Sequence, residues 1–242
     1  MRRKVAESLA EAAMLLRLSL RVQLGRRSWL VPALALLWPL YHAVTVLAGW
    51  RELPFDATDV QNGLIGIPLA VLAIGLGARV IADEIEQRTL EVAYTVPGGA
   101  RRVWIAKLGA AAAALLGTGL LLAIIAAAFS ARYPLSSVYG ALQGAAFYLV
   151  LAAGLGALLR NEITAALVAS VVLGLNGLLT GFGSVPSRWS PLFNPLVGKD
   201  LSGAEMIAWT VQNRIGFALL IVSLVTLTCA RAERREQLLS MS

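Results

Sequence analysis

Six apolar runs, each close to the roughly 20 residues an α-helix needs to cross about 30 Å of hydrocarbon, constrain this chain more than any other feature. They fall at about 29–49, 62–82, 103–130, 137–159, 163–182 and 207–230. None shows the alternation of apolar and polar residues that a membrane barrel strand needs. A segment in lipid must satisfy its own backbone, so each run is expected to be a helix. Only 14% of the residues are charged, where a soluble domain carries about 25%. The expected fold is an all-α membrane protein, one transmembrane domain over 1–242. Trp29 and Trp50 bracket the first run as interfacial aromatics do, and Pro68 interrupts the second.

Lysine and arginine set the orientation. With six spans both termini share a side. That side collects the basic residues of the N-terminal segment, of the 79–107 region, Arg160, and Arg231, Arg234 and Arg235. The other side holds Arg51, Arg132, Arg188, Lys199 and Arg214. The positive-inside bias therefore assigns both termini to the cytoplasm. The formal net charge of +7 falls on that face, where anionic lipid and a partner protein account for it without nucleic acid.

Two segments outside the spans have their own pattern. In 1–27, Leu9, Ala13, Leu16, Leu20 and Leu24 recur at helical spacing while Arg17 and Arg21 lie on another face. This predicts an amphipathic helix lying in the membrane interface. In 183–206, Pro186, Pro191 and Pro195 punctuate a segment rich in large apolar residues, among them Trp189, Leu192 and Phe193. Short helical pieces re-entering the outer leaflet are expected there. Ser202 and Glu205 have capping-box spacing, so the helix of the sixth span is expected to start there. That start brings Trp209, Gln212, Asn213 and Arg214 near the outer interface.

The catalytic inventory is thin. None of Lys4, Lys107 and Lys199 follows a glycine-rich phosphate loop. A single histidine, His42, and a single cysteine, Cys229, exclude a multi-His or multi-Cys metal site and any intramolecular disulfide. No nucleophile and base pair up, so the chain reads as non-catalytic, with no cofactor or metal of its own. His42 in the first span either bonds to a neighbouring helix or contacts a substrate. Asn176 and Thr180 in the fifth span offer the same two roles, as does Gln143 in the fourth. Gly140-x-x-x-Gly144 and Gly177-x-x-x-Gly181 are spaced for close helix approach.

The most informative stretch is Asp83 to Lys107. Carboxylates at Asp83, Glu84, Glu86 and Glu91 lie beside apolar Leu90, Val92, Ala93, Tyr94 and Val96. Pro97-Gly98-Gly99 then breaks the run ahead of Arg101, Arg102 and Lys107. A helix lying on the membrane surface and ended by Pro97-Gly98-Gly99 is the simplest geometry, with Glu84 to Glu91 toward a partner and Arg101 to Lys107 toward lipid head groups. The run Glu84-x-Glu86-x-x-Thr89-Leu90-Glu91, then Pro97, two arginines and Lys107 heading a long span, resembles the first cytoplasmic loop of ABC-2-type transporter permeases. Arg88 stands where that family often has glycine.

The resemblance implies the membrane subunit of an ABC exporter in the plasma (inner) membrane of a bacterium or archaeon. It implies a dimer with a second, identical or different permease protomer, and separate ATPase subunits that bind ATP and Mg. It implies that those ATPases dock under the interfacial helix, at Arg17 and Arg21, and on the coupling loop 83–102, through Glu84, Glu86, Thr89, Leu90 and Glu91. His42, Asn176 and Thr180 are the candidate substrate-path residues, and an outer or periplasmic accessory protein is a further candidate partner. A haem-exporter-like permease shares the six-span plan, and a membrane scaffold coupling an ATPase to an outer partner is the reading from another class.

Overall fold

In the computed structural model the described residues are 30–50, 57–86, 99–129, 133–181, 188–197 and 202–232, together with Met14. The expected interfacial helix over 1–27, with Arg17 and Arg21, lies outside them, as do Thr89, Leu90 and Glu91. Among the described residues every regular element is helical. The helices are α1 (Leu30–Leu47), α3 (Gly99–Phe129), α4 (Leu135–Leu159), α5 (Glu162–Gly181) and α6 (Gly203–Ala232). The remaining one, α2, runs without a break through a turn at Ala57–Asp59, a π-helical stretch at Val60–Gly66 and an α-helix at Ile67–Glu86. Five of them, α2 to α6, are long and apolar enough to cross a membrane, as a membrane-embedded protein requires. α1, at 18 residues, is shorter.

The helices are not equivalent. Of the most apolar window in each, 72% is buried for α2 and 61% for α4, but only 11% for α5 and 22% for α6. The bundle is therefore built on the α2–α4 pair, with α5 and α6 packed against α4, α3 against both central helices, and α1 mainly against α3. The closest approach is at Gly77, where a Cβ would run into the Leu149 carbonyl and the Ala152 methyl. Gly156 repeats the contact from α4, facing the Ala78 carbonyl. The glycine pair at 140 and 144 does face a neighbour: Gly140 faces Arg214 and Gln61, and Gly144 faces the Pro191 carbonyl and Leu192. Gly177, by contrast, has open space around it.

Pro68 does not interrupt α2, because the helix changes register before reaching it. The Ile67 N–H bonds back to the Asn62 carbonyl, five residues away. In that register the Gly63 carbonyl would look for an N–H at position 68, which proline lacks. It accepts instead from the Trp38 indole N–H of α1 at 2.6 Å. Gly66 suits the wider turn, since a Cβ there would sit 2.6 Å from the Gln61 carbonyl oxygen.

Three boundaries differ from the sequence reading. α2 continues past Ala82 to Glu86, and α3 begins at Gly99, so Asp83, Glu84, Glu86, Arg101 and Arg102 are helical. The helix can continue because Glu84 turns inward to a partner rather than outward to water. Residues 188–197 form hydrogen-bonded turns rather than short helices. Ser190 Oγ accepts the Leu192 N–H and Asn194 Oδ1 accepts the Leu196 N–H, so side chains meet backbone donors that Pro191 and Pro195 keep from a helical ladder. At α6 the capping box forms as its spacing predicts: Ser202 Oγ accepts the Glu205 N–H and the Glu205 carboxylate accepts the Ser202 N–H.

Gly77→Val is expected to lower stability by about 1–3 kcal/mol through overpacking. Gly177→Val should leave it unchanged. Thermal unfolding of both variants in detergent checks the contrast, and equal effects would refute the α2–α4 contact as the organising one.

Candidate functional site

Near its end, α2 carries Asp83, Glu84 and Glu86, and the two glutamates do different things. Glu84 is buried at 9% exposure. Its Oε1 lies 2.8 Å from the Lys107 ammonium, and its Oε2 accepts the Trp104 indole N–H at 2.9 Å. Trp104 and Lys107 are three residues apart on α3, so they share a face and reach Glu84 together. Lys107 is itself buried at 5% exposure. The expectation that it meets lipid head groups is corrected: its charge is spent inside the protein, because an ammonium this deep needs a carboxylate. The ion pair joins the last turns of α2 to the first turns of α3 and so closes the base of the 87–98 connection.

Glu86 is exposed and points to another neighbour. Its Oε1 accepts the Asn161 side-chain N–H at 3.0 Å and the Glu162 backbone N–H at 2.8 Å. These lie at the start of α5, where backbone donors have no intrahelical partner and a negative charge is favoured. Asn161 caps the same helix, its Oδ1 accepting the N–H and the hydroxyl of Thr164. The chain gets from α4 to α5 in so few residues because Arg160 takes the left-handed conformation, φ 58°, with its N–H bonded to the Gly156 carbonyl. Arg79, two turns back on α2, adds a 2.6 Å contact to Glu162, of small energetic weight because the arginine is exposed. The ends of α2, α3, α4 and α5 thus meet at one charged corner.

The candidate substrate-path residues are placed separately. His42 on α1 is buried edge-on against the rings of Trp38 and Tyr41. Thr180 on α5 bonds back to the Asn176 carbonyl of its own helix at 2.8 Å, and the Asn176 Nδ2 group is buried without a partner. Thr180 therefore spends its hydroxyl locally. Gln143 does bond between helices: it donates to the Arg214 carbonyl at 2.7 Å and accepts from the Arg214 side chain at 3.1 Å.

A second polar cluster lies at the opposite end of the bundle, signalled in the sequence by Gln143 at membrane depth and by Asn213 and Arg214 near the outer interface. Gln61 of the π-helical stretch donates to the Phe193 carbonyl at 2.7 Å. Asn194 donates to the Thr58 carbonyl, and Asn213 to the carbonyls of Arg188 and Ser190. The 188–197 segment is held against α2 and α6 by these amides. Among the described residues no group of three His, Cys, Asp or Glu side chains is placed to hold a metal ion.

No family model matches the chain, and neither a curated protein nor a solved structure does. Among the described residues, the side chains of the charged corner tie helix ends together.

Removing one partner of a buried ion pair costs about 3–5 kcal/mol, and removing both costs less. Glu84→Gln and Lys107→Met are each expected to destabilise the protein strongly, and the double variant to recover part of the loss. A double-mutant cycle read by thermal unfolding measures this, and additive losses would show that the two groups are not coupled.

Proposed function

We propose that the chain is the permease subunit of an ABC-2-type exporter. In this reading α1 to α6 are six spans of a dimeric permease in the plasma membrane, with both termini cytoplasmic. Two separate ATPase subunits, which bind ATP and Mg, dock at the 83–102 region and beneath the interfacial helix. The observation that carries the reading is the double anchoring of the 87–98 connection. Glu84 ties its start to α3 through Lys107 and Trp104, and Glu86 ties it to the head of α5. A push on that connection is delivered to α2, the most buried helix, and to α5, the least buried.

The residues divide accordingly. Glu84 acts as a positioning residue, since its carboxylate is taken up inside the protein. Glu86, exposed at the surface, with Thr89, Leu90, Glu91, Arg17 and Arg21, forms the docking face for the ATPase. His42, Asn176 and Thr180 are the side chains nominated for the translocation path between protomers.

The test is reconstitution with an ABC ATPase subunit, sought as a Walker-motif protein encoded in an adjacent gene and co-purifying with this chain. Glu86→Ala and Leu90→Ala are expected to keep the fold but weaken complex formation or substrate-stimulated ATP turnover by about tenfold, the worth of one charge-assisted hydrogen bond for Glu86 and of lost apolar burial for Leu90. Wild-type assembly and turnover in both variants would remove the docking role. ATP-dependent transport into vesicles separates an exporter from a scaffold, which would turn over ATP without moving substrate.

A further inference from the structure

At the end of the bundle opposite Glu84, two arginines carry charge that no carboxylate among the described residues answers. Arg214 on α6 is partly buried. Its Nη1 donates to Gln143 Oε1 at 3.1 Å, its Nη2 reaches the Phe193 carbonyl only at 3.4 Å, and its guanidinium lies 5.6 Å from the Tyr139 ring centre. Arg188 makes ring contacts alone, its guanidinium 5.2 Å from the centre of Trp189 and 5.7 Å from that of Trp209. The other N–H groups of both forks meet no acceptor among the described residues.

These two groups belong to one ledge. Asn213, the neighbour of Arg214, donates to the Arg188 and Ser190 carbonyls at 2.8 and 2.9 Å, which fixes the backbone of Arg188 beside α6. Trp209 stands one turn from Asn213 on the same face. The ledge is open to its surroundings, since Tyr139 is 55% and Trp189 65% exposed. Beside Arg214 on α6, within about 100° around the helix, Val211, Ile215 and Val222 are exposed and apolar.

An arginine at membrane depth without a counter-charge is costly, and a guanidinium fork matches the oxygens of a phosphate. Tryptophan and tyrosine collect at the level of lipid head groups. We propose that Arg188 and Arg214 bind the phosphate of an acidic phospholipid, whose acyl chains lie along Ile215 and Val222. The apolar bed below the cations is what favours a lipid over a free anion. The site is independent of the transporter reading, since it requires only that the helices be in a bilayer.

The full chain, purified in neutral detergent, is titrated with phosphatidylglycerol or phosphatidylcholine and read by native mass spectrometry. Wild type is expected to retain phosphatidylglycerol preferentially. Arg188→Gln with Arg214→Gln is expected to weaken its tightest binding by roughly thirtyfold, the contribution of two cations at a membrane surface. A matched control, Arg51→Gln with Lys199→Gln, removes two charges that the lysine and arginine count assigns to the same side, and should change that binding by less than about threefold, because placement rather than net charge sets it. Equal losses in the two doubles, equal retention of the two lipids, or no loss in the Arg188 and Arg214 double would each overturn the proposal. Displacement of the lipid by millimolar inorganic phosphate would overturn it in favour of a free-anion site. Should the Arg214 variant unfold, Arg188→Gln alone carries the test, because its side chain makes no hydrogen bond among the described residues; partial loss is then expected and none overturns the assignment.

Discussion

The fold depends on how closely α2 and α4 approach. In lipid no hydrophobic gain drives one apolar helix onto another, so association rests on close packing and on hydrogen bonds between helices. At Gly77 the two backbones are so near that no other residue fits without displacing one of them, and Gly156 extends the contact from the opposite helix. Alanines continue the seam, with Ala73, Ala78, Ala145, Ala152 and Ala153 all buried in the core. With that pair locked, α3, α5 and α6 each find a fixed surface. Their outward faces then carry the exposed leucines, isoleucines and valines, among them Leu120, Leu167, Leu179 and Leu219.

Polar chemistry concentrates at the two ends, and α2 connects them. One end of α2 holds Glu84 and Glu86. The other holds Gln61, whose amide supports the 188–197 segment through the Phe193 carbonyl. Gln61 itself belongs to the π-helical stretch, where one carbonyl depends on Trp38 of α1 for its hydrogen bond. π-Helical turns cost regular hydrogen bonding and recur at functional sites. Here the irregularity lets the helix pass Pro68 and seats Gln61 inside the bundle at 1% exposure.

Much of this was legible in the sequence, and what was hidden has physical causes. Apolar run lengths locate the helices to within a few residues, because the thickness of hydrocarbon sets them. The Ser202–Glu205 box marks the start of α6, because capping is a local interaction. The direction of Glu84 is not local. A carboxylate at the end of an apolar helix reads the same whether it faces water or a lysine more than twenty residues away in the chain. Lys107 was misread for the same reason. Gly77 escaped because spacing rules find pairs of glycines within one helix, whereas its role comes from a carbonyl on another helix. Gly177, which satisfies the spacing rule, meets nothing.

Helix geometry then separates the two glutamates of the 83–107 motif. Residues 84 and 86 are two apart, about 200° around an α-helix, so they cannot serve the same face while the helix continues through both. It does continue, to Glu86. Once Lys107 and Trp104 draw Glu84 inward, Glu86 must face the surface, where it meets the unpaired donors that open α5. The acidic end of α2 therefore has an inner half at Glu84 and an outer half at Glu86. Burial of Glu84 orients the helix end, and that orientation is what presents Glu86. Glu86 in turn joins the end of α2 to the α4–α5 turn, whose backbone Arg160 and Asn161 shape.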